Sequence, residues 1–182
     1  MLFRSVNPAL QLKNILQECG CAGKRLGVEY DSYGLTAKNG KILDYSMDGF
    51  CRLTDASNLV NLLRVVKSPE ELVYVQKAAE LADEALDEAH RLVKNGCDEA
   101  ELLAAMQGAV FRGGGDYPSN EFIIGSGDNA LLCRYYSGRR KLSSNDQITL
   151  EWAGACRHYH AAMMRTIPVG LEIGRASCRG RV

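Results

Sequence analysis

Residues 150–166 have the sequence LEWAGACRHYHAAMMRT, in which alternating apolar and small residues surround a glycine at position 154. The segment predicts two β-strands joined by a turn at Gly154. On the first strand, Leu150 and Trp152 alternate with Glu151, so the carboxylate is expected on the face opposite the large apolar side chains. The segment therefore predicts a β-hairpin that presents one acidic side chain.

Two predicted helices precede this hairpin. Ser68 and Glu71 form a capping box for a helix that runs to the Asn-Gly pair at residues 95–96. Asp98 begins a second helix, which is expected to end at the three consecutive glycines that start at Gly113. Helices followed by short strands indicate an α+β domain with an antiparallel sheet. The predicted strands span residues 122–124, 147–153 and 156–169.

The N-terminal part of the chain predicts a separate small α/β unit. Residues 7–19 form an amphipathic helix, and residues 25–30 alternate as a strand does. Residues 55–57 then cap a brief helix. The predicted domains are a partial N-terminal domain (1–64), the first half of a catalytic domain (65–171) and a tail (172–182).

The tail is expected to be an artefact. Residues 172–182, EIGRASCRGRV, match the translation of a common sequencing adaptor except at Gly180. A scar of this kind is excluded from arguments about the fold. The natural sequence is therefore expected to be interrupted near Leu171, and Met1 to be an internal methionine.

The composition excludes several classes of partner. The 182 residues are 46% hydrophobic and 24% charged with a formal net charge of zero, which is typical of a globular domain. The sequence has no excess of basic residues of the kind that would indicate nucleic-acid binding. No apolar run reaches the roughly 20 residues of a membrane helix. Seven cysteines without a C-x-x-C pair favour reduced thiols in the cytoplasm.

These motifs together resemble the creatinase and aminopeptidase P family, the pita-bread hydrolases. The resemblance covers residues 25–171, and its most specific parts are residues 126–129 and the hairpin. It implies the first half of a pita-bread catalytic domain preceded by the end of a small α/β domain. In metal-dependent members the hairpin supplies two aspartates that bind a metal pair, and the matching positions here hold Glu151 and Ala162. Because alanine cannot bind a metal, the resemblance implies a metal-free site.

Within that family, residues 125–134 and 157–165 are similar to the ectoine hydrolase branch, which opens a cyclic amidine. The similarity implies a cytoplasmic, homodimeric hydrolase that cleaves a carbon–nitrogen bond in a small zwitterion such as ectoine. Two alternatives stay open: an Xaa-Pro aminopeptidase or dipeptidase that uses manganese or cobalt, and a non-catalytic binding module. Half of a pita-bread domain is expected to be inactive alone.

Two residues are candidates for catalysis. Glu151 is expected to pair with the cationic amidine and to act as general base or nucleophile, the alternative being a solvent-facing strand residue. His160, two residues before Ala162, is an acid/base candidate. His158 is expected on the same strand face as His160 because the two are separated by one residue.

Two further residues are candidates for substrate binding. Arg134 stands where family peptidases have a histidine, and a guanidinium suits a substrate carboxylate. The alternative for Arg134 is a solvated basic surface shared with residues 139–141. Tyr159 matches a tyrosine common in the family hairpin, either at the substrate or in packing.

Overall fold

The computed structural model describes residues 7–131 and 139–170, which form two compact units divided between Val66 and Lys67. The first unit contains α1 (Pro8–Glu18), β1 (Arg25–Val28), α2 (Ala37–Met47), β2 (Arg52–Asp55) and α3 (Leu59–Val65). The second contains α4 (Pro69–Leu92), α5 (Glu99–Arg112), β3 (Ile123–Ser126), a 3₁₀ turn (Gly127–Leu131), β4 (Gln147–Cys156) and β5 (Tyr159–Pro168).

The first unit is built on two parallel strands. β1 and β2 pair from Arg25 opposite Arg52 to Val28 opposite Asp55, and α2 is the helix that crosses between them. The predicted α/β character is confirmed, although the sequence analysis proposed neither α2 nor β2. Asn39 and Gly40 lower the helix propensity of α2. Its start is fixed instead by the cap at Thr36, whose side chain accepts a hydrogen bond from the Asn39 amide (3.2 Å).

The start of α3 differs from the prediction. The N-cap is Asn58, which has φ 67° and makes no side-chain capping bond. Asp55 instead accepts hydrogen bonds from the Ser57 hydroxyl (2.6 Å) and amide (2.8 Å), and these bonds lower the pKa of the Asp55 carboxyl. The 55–57 segment is therefore a local turn that precedes the helix by one residue.

The predicted cap of α4 is confirmed. Glu71 donates its amide to the Ser68 hydroxyl (3.2 Å), and the Glu71 carboxylate accepts from the Ser68 amide (2.7 Å). The predicted end is wrong, because the helix stops at Leu92. Gly96 does adopt the left-handed conformation (φ 84°), but its amide donates to Leu142 of a distant loop (2.7 Å).

The second unit contains an antiparallel sheet in the order β3-β4-β5. Its hairpin turns at Arg157 and His158, which have φ values of 50° and 65°, and the predicted turn at Gly154 is wrong. Two residues with positive φ match the right-handed twist of the flanking strands. Gly154 lies inside β4 opposite Ala161.

Gly154 is where the sheet touches α4. A Cβ at this position would overlap the carbonyl oxygen of Ala78 and lie 2.7 Å from the amide nitrogen of Ala82. Gly154 therefore allows α4 and β4 to approach closely, because any side chain at this position would clash with the backbone of the helix.

The core lies between the sheet and α4 with α5. Ile148, Leu150 and Trp152 are buried against these helices, so the predicted alternation of β4 is confirmed. The Trp152 indole N–H donates to the carbonyl of Ala82 (3.0 Å), which satisfies its polar atom inside the core.

A buried polar network attaches the loop before β4 to α5. Glu99 is 2% exposed, and its carboxylate accepts from the Ser126 hydroxyl (2.6 Å) and from the amides of Arg139 and Arg140 (3.1 Å each). The Arg140 guanidinium donates to Ser126 (2.9 Å) and forms an ion pair with Asp146. The solvated basic surface considered for residues 139–141 therefore does not describe Arg140.

This network predicts acid sensitivity. The Arg140 guanidinium lowers the pKa of Asp146 from 3.8 to about 2, so the stabilisation is present above pH 3.8 and is lost as pH falls towards 2. We expect Asp146→Asn to cost roughly 1–2 kcal/mol at pH 7, less than the full shift implies because Arg140 is partly exposed. Urea unfolding of the wild type and the variant at pH 7, 4 and 2.5 measures the difference between their free energies of unfolding. This difference should become smaller as the pH falls. A difference that is equal at all three pH values would contradict the assignment.

Candidate functional site

The candidate site lies on the sheet face that points away from α4 and α5, which we call the distal face. It includes Ile123, Glu151 and Met164, which are paired side by side across β3, β4 and β5. Glu151 is half-buried on the central strand, between these two apolar neighbours. Apolar neighbours lower the local dielectric, so a charge on Glu151 interacts more strongly with a bound cation than it would in water.

Position 162 is a close neighbour of Glu151 on the same face. Ala162 pairs with Ala153, and Glu151 pairs with Met164, so Ala162 and Glu151 are diagonal neighbours on adjacent strands. Such diagonal pairs are roughly 7–8 Å apart, within reach of a shared ligand. The strand register therefore brings the two matched positions together. Only one of them, Glu151, has a carboxylate.

The residues present do not fit a pair of metal ions. Ala153, two residues from Glu151 on β4, and Ala162, its diagonal neighbour on β5, have no side-chain donor atom. Across residues 7–131 and 139–170, no group of three or more His, Cys, Asp or Glu side chains is placed to hold a metal. A two-metal site needs several oxygen or nitrogen ligands with bridging carboxylates among them, and on this face of β3, β4 and β5 Glu151 is the one carboxylate.

His160 is on the distal face opposite Ala155, but both ring nitrogens are engaged. Its Nε2 accepts a hydrogen bond from the Ser119 amide (3.0 Å), and its Nδ1 lies 2.9 Å from the carbonyl oxygen of His158. Because Nε2 accepts from an N–H, the ring proton is on Nδ1 and is donated to His158. The geometry gives His160 a role in attaching the 116–119 loop to the hairpin, and a catalytic role for it stays a prediction.

The predicted pairing of His158 with His160 on one strand face is wrong. His158 occupies the turn, where positive φ breaks the alternation of a strand. Its amide donates to the Asp116 carboxylate (3.3 Å). The loop after α5 therefore contacts the hairpin at both Asp116 and Ser119.

Tyr159 is on the opposite face from Glu151. Its hydroxyl donates to the second carboxylate oxygen of Glu71 (2.8 Å), and its ring stacks on Tyr74 with centroids 5.7 Å apart. This arrangement supports the packing interpretation of Tyr159 and joins the hairpin to the first turn of α4. Arg134, the other predicted substrate-binding residue, lies outside the described residues.

The family is decided by comparison of the sequence with family models. The model described as metallopeptidase family M24 matches residues 74–177, more than half of the chain. The chain belongs to metallopeptidase family M24. The M24 match includes most of α4, all of α5, the sheet and Glu151, so the predicted relationship to the pita-bread hydrolases is confirmed.

Curated M24 relatives have two kinds of activity. An Xaa-Pro dipeptidase from Pyrococcus furiosus is 27% identical over 113 residues, which are 62% of this chain and 32% of the relative. An ectoine hydrolase from Halomonas elongata is 27% identical over 169 residues, 87% of this chain and 42% of the relative. The chain thus spans less than half the length of each.

Solved structures agree on the fold. An X-Pro aminopeptidase from Thermotoga maritima has a TM-score of 0.76 at 18% identity, over 90% of this chain and 45% of that chain. A dipeptidase from Pyrococcus horikoshii has a TM-score of 0.71 at 28% identity, over 92% and 46%. The described residues therefore have the fold of about half of a pita-bread protein.

The sequence analysis did not propose Ser119, Ile123 or Met164 as parts of the site. Ile123 and Met164 are placed beside Glu151 by the register of three strands, and the sequence alone does not give that register. Ser119 is 41 positions from His160, and no sequence signal joins the two.

No helix within the described ranges is long and apolar enough to cross a membrane.

Proposed function

We propose that this M24 protein is a hydrolase that cleaves a carbon–nitrogen bond in a small zwitterionic, non-peptide substrate without a metal ion, with ectoine as the substrate. The observation that carries the proposal is that the diagonal neighbour of Glu151 on the distal face is an alanine, Ala162. One carboxylate without a second ligand suits the binding of an organic cation better than the binding of two metal ions.

Glu151 supplies the charge that such a reaction requires. A cyclic amidine is cationic near neutral pH, and a carboxylate held between Ile123 and Met164 pairs with it through charge-assisted hydrogen bonds. As general base, Glu151 takes a proton from water while the water oxygen bonds to the amidine carbon. The ring carbon–nitrogen bond then breaks, and the leaving nitrogen receives a proton, which leaves an amide and an amine.

A nucleophilic role for Glu151 gives the same products. The carboxylate oxygen bonds to the amidine carbon, the ring carbon–nitrogen bond breaks and the leaving nitrogen takes a proton, and water then hydrolyses the imidoyl ester of Glu151, which releases the amide and the free carboxylate. In either route Arg134 is proposed to hold the substrate carboxylate with two parallel hydrogen bonds. A homodimer in the cytoplasm remains part of the proposal.

The relatives support this substrate in one respect. The ectoine hydrolase aligns with a larger share of the chain than the dipeptidase does, at equal identity. The second candidate function is a metal-dependent Xaa-Pro dipeptidase, which is favoured by the dipeptidase of solved structure that is 28% identical. In that case Glu151 would be one ligand of a set completed by residues beyond those described.

Metal dependence distinguishes the two functions. The protein, expressed with whatever its natural gene encodes on either side, is assayed on ectoine and on an Xaa-Pro dipeptide before and after exhaustive chelation. We expect ectoine hydrolysis, unchanged by chelation, and substoichiometric manganese and cobalt by elemental analysis. Dipeptide hydrolysis that is lost on chelation and restored by manganese would instead establish the second function, and activity on neither substrate would favour a binding module.

A further inference from the structure

Met164 is the large apolar side chain beside Glu151 that a ligand on the distal face can reach. It is directly opposite Glu151 across β4 and β5 and is 55% exposed. Directly opposed residues of an antiparallel pair have Cβ atoms roughly 4.5–5.5 Å apart. Ile123, the neighbour of Glu151 on β3, is only 8% exposed. Apolar contact with a molecule bound at Glu151 therefore falls to Met164.

The residues next to Met164 on the same face are small. Ala162 precedes it by two positions on β5 and is exposed, and Ala153, opposite Ala162 on β4, is half-buried. Both side chains end at a methyl group, so they leave room for a ring beside the Glu151 carboxylate. A methionine side chain is flexible and polarizable, and it adapts to the shape of an apolar group that enters such a space.

The structure of the proposed substrate defines what Met164 contacts. Ectoine has a methyl group on the amidine carbon, between the two ring N–H groups. A carboxylate oxygen that accepts a hydrogen bond from either N–H is therefore about 3–4 Å from the methyl carbon. Because Glu151 and Met164 are directly opposed, a methyl group on the β5 side of the carboxylate contacts the Met164 side chain.

We infer that Met164 is a specificity-determining residue that selects amidines with a small alkyl group on the reacting carbon, an assignment that rests on the proposed function. The selection comes from removing the alkyl group and the methionine side chain from water together, and a polar side chain at position 164 would lose it. Pairing with the cation and proton transfer stay with Glu151.

The test compares ectoine with the same ring that has hydrogen in place of the methyl group, on the protein expressed with whatever its natural gene encodes on either side. The ratio of the two kcat/KM values is measured for the wild type and for Met164→Gln, which keeps the side-chain length and makes its end polar. Differences in intrinsic reactivity between the two amidines cancel when this ratio is compared between proteins. We expect Met164→Gln to lower the preference for ectoine at least about fourfold, the effect of returning one CH₂-sized group to water, and to change kcat/KM on the analogue less than about twofold.

Two further variants separate contact with the methyl group from folding. Met164→Leu keeps an apolar side chain of similar volume and should keep the wild-type ratio. Met163→Leu changes the adjacent methionine, which packs against the core on the opposite face, and should also keep it.

The outcomes distinguish this inference from the function on which it rests. Ectoine hydrolysis with a ratio unchanged by Met164→Gln would overturn the inference and leave the proposed function in place. An equal loss of activity on both substrates would also overturn the inference, because it would show a general role for Met164. Hydrolysis of neither substrate by the wild type would overturn the proposed function, and the inference with it.

Discussion

Glu151→Gln is expected to lower kcat on ectoine by at least about 100-fold, the lower limit for loss of a general base or nucleophile. Glutamine keeps the size of the side chain on the distal face but cannot take a proton or carry the charge that pairs with an amidinium. Because Glu151 is only half-buried, the free energy of unfolding should change by less than about 1 kcal/mol. Steady-state kinetics and urea unfolding measure the two quantities on the same preparations.

Two matched variants separate chemistry from packing at this position. Thr149→Val changes the polar residue two positions earlier on the same face of β4, whose hydroxyl lies 3.5 Å from that of Thr166. It should retain activity. Glu151→Asp keeps the charge and should recover part of the rate. Full turnover by Glu151→Gln would remove Glu151 from the mechanism and leave it a strand residue facing solvent.

Gly154→Ala is expected to destabilise the second unit by more than about 3 kcal/mol, above the usual range for an added methylene in a packed core. The new Cβ would collide with the backbone of α4 at Ala78 and Ala82. Backbone atoms cannot rotate away as a side-chain end can, so relief requires the helix to move off the sheet. Urea unfolding, or loss of soluble protein where the variant does not fold, measures the effect.

Gly40→Ala is the matched control for this substitution. Gly40 is inside α2, and a Cβ there meets no atom within 4 Å. Alanine should therefore stabilise the first unit by about 0.5–1 kcal/mol through helix propensity alone. A similar small change at both glycines would show that close helix–strand contact at Gly154 is not a constraint.

Local signals in the sequence predicted the starts of α4 and α5 and the buried face of β4 correctly. The capping box at Ser68 and Glu71 involves residues three apart, and the alternation of Leu150, Glu151 and Trp152 is set by the strand itself. Such features depend on near neighbours. For this reason the α+β class, and the presence of Glu151 opposite the core, could be predicted.

Features set by contacts between distant residues could not be predicted in the same way. A glycine in a hairpin usually marks the turn, but Gly154 is required by α4, and the turn falls on Arg157 and His158. That shift of three to four residues puts His158 in the turn and off the strand face of His160. The burial of Glu99 depends on Ser126 and Arg140, 27 and 41 positions away.

Trp152 gives the second unit an optical reporter of its own. It is the single tryptophan of the chain, and its indole contacts the backbone of α4 in the core. Its emission should shift to longer wavelength when the helix leaves the sheet, because water then replaces the Ala82 carbonyl as hydrogen-bond partner. Circular dichroism detects both units, whereas this fluorescence detects one, so unfolding curves that do not superimpose would reveal that the two halves of the molecule melt independently.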